Sequence, residues 1–302
     1  MNSLSTIYLR IAVLTALISM ASMPAKAETF VLSPGPASAI QDLIDNVVVA
    51  GDVIQLQAGD FEVSSPITLN GLSITIRGAV DPKCAVLTRL IGNKASGILA
   101  CLNNETAQTI FEDLVVTNGR IDLGGGLLII DASPTLRRVR FIDNVASVFG
   151  GGVAIFGAPS SPVFEQCRFE NNRADLVGGG CLNGTSATPV YRQCYWSGNE
   201  AGLYGRQMYN QIDSFPTLID SLVEGCCGVV PPASYIDAGG NTVELTCENC
   251  VGDINCYGGV SAADLGALLS AWGSDNPACD LDGDGDVGGS DIGILMSQWG
   301  DC

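Results

Sequence analysis

The feature that most constrains this chain is an internal repeat of about 27 residues. An Asn, a Gly six residues on and a Pro ten to twelve residues beyond recur as Asn118, Gly124 and Pro134; Asn144, Gly150 and Pro162; Asn172, Gly178 and Pro189; and Asn199, Gly205 and Pro216. Each Pro precedes the next Asn by ten residues, Cys226 taking the fifth Asn place, and the Asn spacings are 26, 28 and 27. A unit this short cannot bury an apolar face alone, so successive copies must stack. Apolar or aromatic residues stand eight positions before each Asn (Ile110, Leu136, Phe164, Tyr191) and three positions before it (Val115, Phe141, Phe169, Trp196). The alternation Arg138, Val139, Arg140, Phe141 sends successive side chains to opposite faces, as a strand does. Further apolar runs, 127–130 and 153–156, follow the glycines, with Gly, Asn and Pro breaking the chain between them. Short strands, tight turns and no helix within a unit predict a parallel β-helix, each coil pairing its strands with the coil beside it.

Stacking assigns places to particular residues. The corner Asn residues are expected to take left-handed backbone and to hydrogen-bond to one another along the axis. Gly triplets 124–126, 150–152 and 178–180 mark close backbone approach. Arg137, Glu165 and Arg192 fall one unit apart and form a plus, minus, plus ladder. Cys167 and Cys194 are likewise expected to be neighbours, either bonded or free, since the coil spacing lies within the Cα range of a disulfide. Upstream, 39–46 reads as a short amphipathic helix covering the open end of the first coil, which would otherwise be an unpaired sheet edge. Residues 28–245 have length for roughly eight coils.

The Gly-Gly-Gly-apolar and Phe-x-x-Asn elements (Phe141 to Asn144, Phe169 to Asn172) resemble repeats of the pectin-lyase-like β-helices, in particular polymorphic outer-membrane-protein repeats, over residues 104–230. The resemblance implies an all-β, right-handed parallel β-helix solenoid with an N-terminal cap, a fold that hosts polysaccharide lyases and glycoside hydrolases. The fourth unit departs from it: Arg206-Gln207 stands where the second and third Gly would be, so the coil stack is expected to loosen there.

Charge and composition exclude several functions. Lys and Arg number 14 against 32 Asp and Glu, a formal charge of −18, which disfavours nucleic acid and anionic membrane surfaces as partners. The absence of His removes Ser-His-Asp and Cys-His nucleophile activation and imidazole metal sites. Residues 1–27 read as a signal peptide, with Arg10 before an apolar run from Ile11 to Met23 and a cleavage signal at Ala25-Lys26-Ala27. No later segment has the length and apolarity of a membrane span. The 12 Cys of an exported chain are expected as disulfide partners. Beyond Arg206 there are 15 acidic residues and no basic one, which sets 246–302 apart from the β-helix of 28–245 as a second module.

That module carries a sharper repeat. The run from Asp264 to Gly273 (Asp-Leu-Gly-Ala-Leu-Leu-Ser-Ala-Trp-Gly) recurs 27 residues later from Asp291 to Gly300, each copy a short helix preceded by a twelve-residue loop. In the second loop Asp280, Asp282 and Asp284 occupy EF-hand positions 1, 3 and 5, Gly285 the turn, Asp286 position 7 through its carbonyl and Asp291 position 12. So many carboxylates repel unless a hard cation sits among them, so Ca2+ is the expected ligand. The first loop offers Asp253, Asn255, Ser261 and Asp264 at positions 1, 3, 9 and 12 but Tyr257 at 5; it is expected either to bind calcium more weakly or to be a structural relic. Duplicated loops of this kind, each helix ending Trp-Gly, resemble dockerin modules over 251–300, which implies calcium binding and docking to a cohesin-like domain. Ala262-Ala263 and Gly289-Ser290 depart from the usual Ser/Thr pair at loop positions 10 and 11, so calcium binding carries over more directly than cohesin binding.

For catalysis the chain lacks an adjacent Asp-Asp pair and any His. Its nearest approach to a reactive cluster is Arg140 with Asp143, beneath Arg168 and near Asp175. The expected function is therefore an extracellular scaffold that binds a polysaccharide or a protein partner and is tethered by its calcium-loop tail. The alternative is a polysaccharide lyase or glycoside hydrolase delivered by the same tail. Converging carboxylates in a pocket would favour the enzyme, and exposed Tyr and Trp rows the binder.

Overall fold

The structure, a computed structural model, describes residues 26–158, 160–224, 229–230, 234–243, 251–254, 259–276 and 279–301. The chain winds into a right-handed parallel β-solenoid of about seven turns. One face runs through nine strands from Thr29–Leu32 to Ile236–Asp237, a second through nine from Gly35–Pro36 to Thr242–Val243, and a third through seven from Ile67–Thr68 to Val229–Val230. A short fourth face of four strands, Arg120–Leu123 to Glu200–Ala201, lies between the second and third. Incomplete turns at both ends account for the expectation of eight. Three short helices complete the described chain: α1 (Ser38–Asn46), α2 (Ala262–Ser270) and α3 (Gly289–Ser297). Among the described residues no helix is long and apolar enough to cross a membrane. The expected signal peptide lies outside the described residues except for Lys26 and Ala27.

Alternation decides what goes inside. The inward column of the first face runs Ile54, Ile76, Phe111, Leu136, Phe164, Tyr191, Leu218, and that of the second runs Leu90, Val116, Phe141, Phe169, Trp196, Val223, all buried. Where aromatics fall in consecutive coils they stack: Phe169 on Trp196 at 4.8 Å and 4°, Phe164 on Tyr191 at 4.8 Å and 20°. Such pairs contribute about 0.5–1.5 kcal/mol each beyond their burial.

Beside this stack runs a polar one. Asn144 donates Nδ2 to Asn172 Oδ1 (3.0 Å), Asn172 to Asn199 Oδ1 (2.9 Å) and Asn199 to Gln207 Oε1 (2.5 Å), all buried. Each amide also donates to a backbone carbonyl of the preceding coil, Val116, Phe141 and Phe169 in turn. The expected Asn ladder is therefore present, but the left-handed backbone is not at these residues. It falls one position earlier, at Asp143 (φ 55), Asn171 (φ 54) and Gly198 (φ 62), so that the Asn itself can turn inward.

The first unit needs a second correction. Val116, not Val115, aligns with Phe141, and Phe111, not Ile110, with Leu136, so Asn118 corresponds to Asp143 and stays at the surface corner. Gly119 takes the Asn place and donates its N–H to Asn144 Oδ1 (3.0 Å). An irregularity between Ile121 and Leu123 restores the register before Gly124. A one-residue offset exchanges inner and outer faces, so a spacing of 26 in sequence concealed a 25-residue coil with a bulge.

The Gly triplets behave as expected: a Cβ on Gly151 would meet Gly179 O at 2.5 Å, and one on Gly180 would meet Gln207 O at 2.4 Å. The stack does not loosen at Arg206-Gln207. Gly180 N and Cys181 N donate to Arg206 O (2.9 Å) and Gln207 O (3.0 Å), and the buried Gln207 amide terminates the Asn stack. At the other end α1 buries Ile40 and Ile44, and Gln41 exchanges hydrogen bonds with the backbone of Thr68, so the helix covers the first strand of the third face.

The disulfide expectation is not met among the described residues. Cys84, Cys101, Cys167, Cys181, Cys194 and Cys279 are free thiols; Cys226, Cys227, Cys247, Cys250, Cys256 and Cys302 lie outside the described residues. Cys167 and Cys194 are neighbours in register, one coil apart, and both are free thiols. Each Sγ donates instead to a backbone carbonyl, Leu136 O at 3.5 Å and Phe164 O at 3.4 Å. Burial pushes the Cys181 thiol up to about 12.

Two outcomes follow for stability and labelling. Asn172→Ala should strip partners from two buried amides and lower the unfolding free energy in urea by about 2–4 kcal/mol, whereas Asn118→Gly should stay within about 0.5 kcal/mol. A thiol reagent at pH 8 should modify Cys84 in the native protein but Cys101, Cys167, Cys181 and Cys194 only after unfolding without reductant; a Cys167–Cys194 disulfide peptide would contradict the structure.

Candidate functional site

The outward positions of the first face carry the expected ladder, and it is longer than expected. Arg77, Glu112, Arg137, Glu165 and Arg192 stand in register on five consecutive coils with strictly alternating charge. One residue further along, at the corner leading to the second face, stand Asp113, Arg138, Gln166 and Gln193, with Asp220 following Ile219 on the next coil. All five have left-handed backbone, with φ between 48° and 59°. The tight corner demands that conformation, and a residue other than Gly, Asn or Asp accepts it at about 1–2 kcal/mol. Asp113 holds Arg138 in a two-pronged pair (2.6 and 2.9 Å), raising the pKa of the guanidinium; Arg137 pairs with Glu165 at 2.9 Å, and Arg77 with Glu112. Gln166 Nε2 donates to Gln193 Oε1 at 3.0 Å. Among the described residues Arg192 makes no ion pair. Between the two columns lies a shallow cleft of about 390 Å³. The arginines are about 40% exposed, so each pair adds only about 0–1 kcal/mol; their effect is to fix where charge lies.

On the second face Arg140 and Arg168 are neighbours in register, and both reach Glu170, at 2.9 and 3.6 Å. Arg168 also lies over the Tyr195 ring, 5.2 Å from its centroid, and Tyr195 donates its hydroxyl to Glu224, which pushes the phenol pKa up. Asp143 and Asp175 do not join this group: Asp143 sits on the corner, exposed, and Asp175 pairs with Arg173 at 3.1 Å. Sequence reasoning missed Glu170 and Tyr195, although both stand where counting finds them, two residues beyond Arg168 and one unit beyond it. Tyr191 and Trp196 are buried, so these aromatics form an inner row rather than an exposed one.

Among the described residues the one convergence of three carboxylates lies in the tail. One oxygen each of Asp280, Asp282 and Asp284 lie within 4.8 Å of one another. The loop is wired by its own amides: Asp280 accepts from Gly283, Asp284 and Gly285, and Asp284 from Asp286. Asp291 is buried and accepts from Gly288 (2.6 Å), Leu281 (2.7 Å) and Asp282 (3.3 Å), which holds its carboxyl below the usual range. An oxygen-only donor set of this charge fits a hard divalent cation. In the first loop Asp253 and Asp264 are buried, and Asp264 accepts from Ser261 N and Oγ at 2.9 Å, a capping box at the start of α2. Asn255 lies outside the described residues.

Neither a family model nor a curated protein matches the chain. Among solved structures it is similar to a PL6-family alginate lyase, AlyGC, at 15% identity with a TM-score of 0.33, over 72% of this chain and 40% of that one. The chain thus spans less than half the length of that structure.

The coupling on the second face can be read directly. Glu224→Gln should lower the Tyr195 phenol pKa, moving one tyrosine's ionisation to lower pH in a difference absorbance titration; an unchanged titration would place Tyr195 elsewhere.

Proposed function

We propose that this chain is an exported carbohydrate-binding scaffold whose solenoid (28–245) offers its lateral faces to a polysaccharide and whose tail (246–302) binds Ca2+ and tethers it to an extracellular protein, such as a cohesin-like domain. The carrying observation is the form of the lateral surface. Its charged side chains make long columns, largely neutralised by neighbours one coil away, rather than a few groups converging on one bond. Columns of amides and paired guanidiniums suit repeated hydrogen bonding to a linear polymer. The separate apolar clusters, one of solenoid residues and one built on Ile254, Val260, Leu268, Val287 and Leu295, support treating the tail as its own unit. In the tail Asp280, Asp282, Asp284 and Asp291, with the Asp286 carbonyl, would hold the ion. Calcium would supply folding free energy by neutralising them.

The enzyme reading keeps one supporting observation, the grouping of Arg140, Arg168, Glu170 and Tyr195, since paired guanidiniums beside a phenol could neutralise an acidic sugar and move a proton. Incubation of the mature protein with calcium and a panel of acidic and neutral polysaccharides separates the two. Retention on a glycan without new reducing ends is expected; product release that disappears in Arg168→Ala would establish catalysis. Asp282→Ala with Asp284→Ala should abolish most calcium binding in calorimetry. A chelator should unfold the tail while leaving the solenoid transition in place; a single cooperative loss of both would refute the two-unit reading.

A further inference from the structure

We infer that the corner cleft of the first face is a subsite for an uncharged, hydroxyl-rich glycan running along the solenoid axis, read by the Gln166–Gln193 amide pair. The inference rests on the carbohydrate-binding reading and specifies it.

Charge argues against a polyanion here. Arg137 and Arg138 are engaged by Glu165 and Asp113, Asp220 adds a carboxylate at the far end, and Arg192 alone has no ion-pair partner among the described residues. A polyuronate carries a carboxylate on every residue, and this cleft offers it one unpaired guanidinium in a chain of net charge −18.

The amides supply what hydroxyls need. Gln166 Nε2 is given to Gln193 Oε1, which leaves Gln166 Oε1 as an acceptor and Gln193 Nε2 as a donor facing solvent. A hydroxyl uses both; a carboxylate uses only the donor. Both glutamines sit on left-handed backbone that Gly would adopt without strain, so the fold gives no reason for a long amide at either place. They repeat at the coil spacing of about 4.8 Å, close to one sugar ring of an extended chain.

The test is calorimetric titration of the full chain with hexasaccharides: β-1,4-linked glucose and xylose as neutral probes, and uronate hexamers as the charged one. A neutral hexamer should bind, the uronates at least tenfold more weakly at equal ionic strength. Gln193→Gly is the decisive variant, because relief of backbone strain should keep its unfolding midpoint at or above the wild-type value while neutral-hexamer affinity falls about tenfold. Gln166→Ala should weaken binding similarly. Preference for uronate, or neutral binding that survives both substitutions, would overturn the subsite and leave the carbohydrate-binding reading standing. Binding of no glycan would overturn both.

Discussion

The buried hydrogen-bond stack of Asn144, Asn172 and Asn199 sets the register on which everything else depends. The Asn144 and Asn172 amides each tie their own coil to the next, the Asn199 amide reaches Gln207 within its own coil, and all three donate to a carbonyl of the coil before. A slip of one residue between coils would leave these groups unpaired in an apolar interior, at about 1–3 kcal/mol for each, and would also exchange the inner and outer faces of the strand. Aromatic stacking alone tolerates such shifts, because it is broad in geometry. Gln207 closes the stack where no Asn follows, so the polar column ends satisfied.

Fixed register on the inside becomes fixed columns on the outside. Alternation of Arg and Glu over five coils is meaningful only because each stands directly over the last. These pairs contribute little stability, being half exposed, yet they remove free cations from a face that would otherwise attract polyanions. The cost of left-handed backbone at Arg138, Gln166 and Gln193 points the same way: long polar side chains occupy a corner where small ones are easier. In the tail the balance is reversed. No basic residue follows Arg206, and in the second loop backbone amides donate to the gathered carboxylates of Asp280 and Asp284.

Much of this was legible in the sequence, for identifiable reasons. The period, the inward aromatics, the Arg137-Glu165-Arg192 ladder and the capping helix could be read because repetition multiplies a weak local signal. The EF-hand spacing likewise places Asp280, Asp282 and Asp284 where their oxygens meet. What failed depended on three-dimensional detail that spacing does not carry. A bulge at Ile121 hid the offset of the first unit, and the left-handed residue proved to be the one before each Asn. Cys167 and Cys194 were correctly placed as neighbours, and of the two states left open the structure has the free thiols. The grouping of Arg140 and Arg168 on Glu170 emerged only with side-chain directions in hand, whereas the Gln166–Gln193 column needed merely one more residue of counting.

If the solenoid faces bind a glycan as proposed, the register of the fold also writes the binding surface. Hydrogen-exchange mass spectrometry of the protein with and without a bound hexasaccharide tests it most directly. Protection is expected to be confined to peptides around 136–139, 164–167 and 191–194, recurring once per coil. Protection limited to the tail, or to a single coil of the second face, would contradict it.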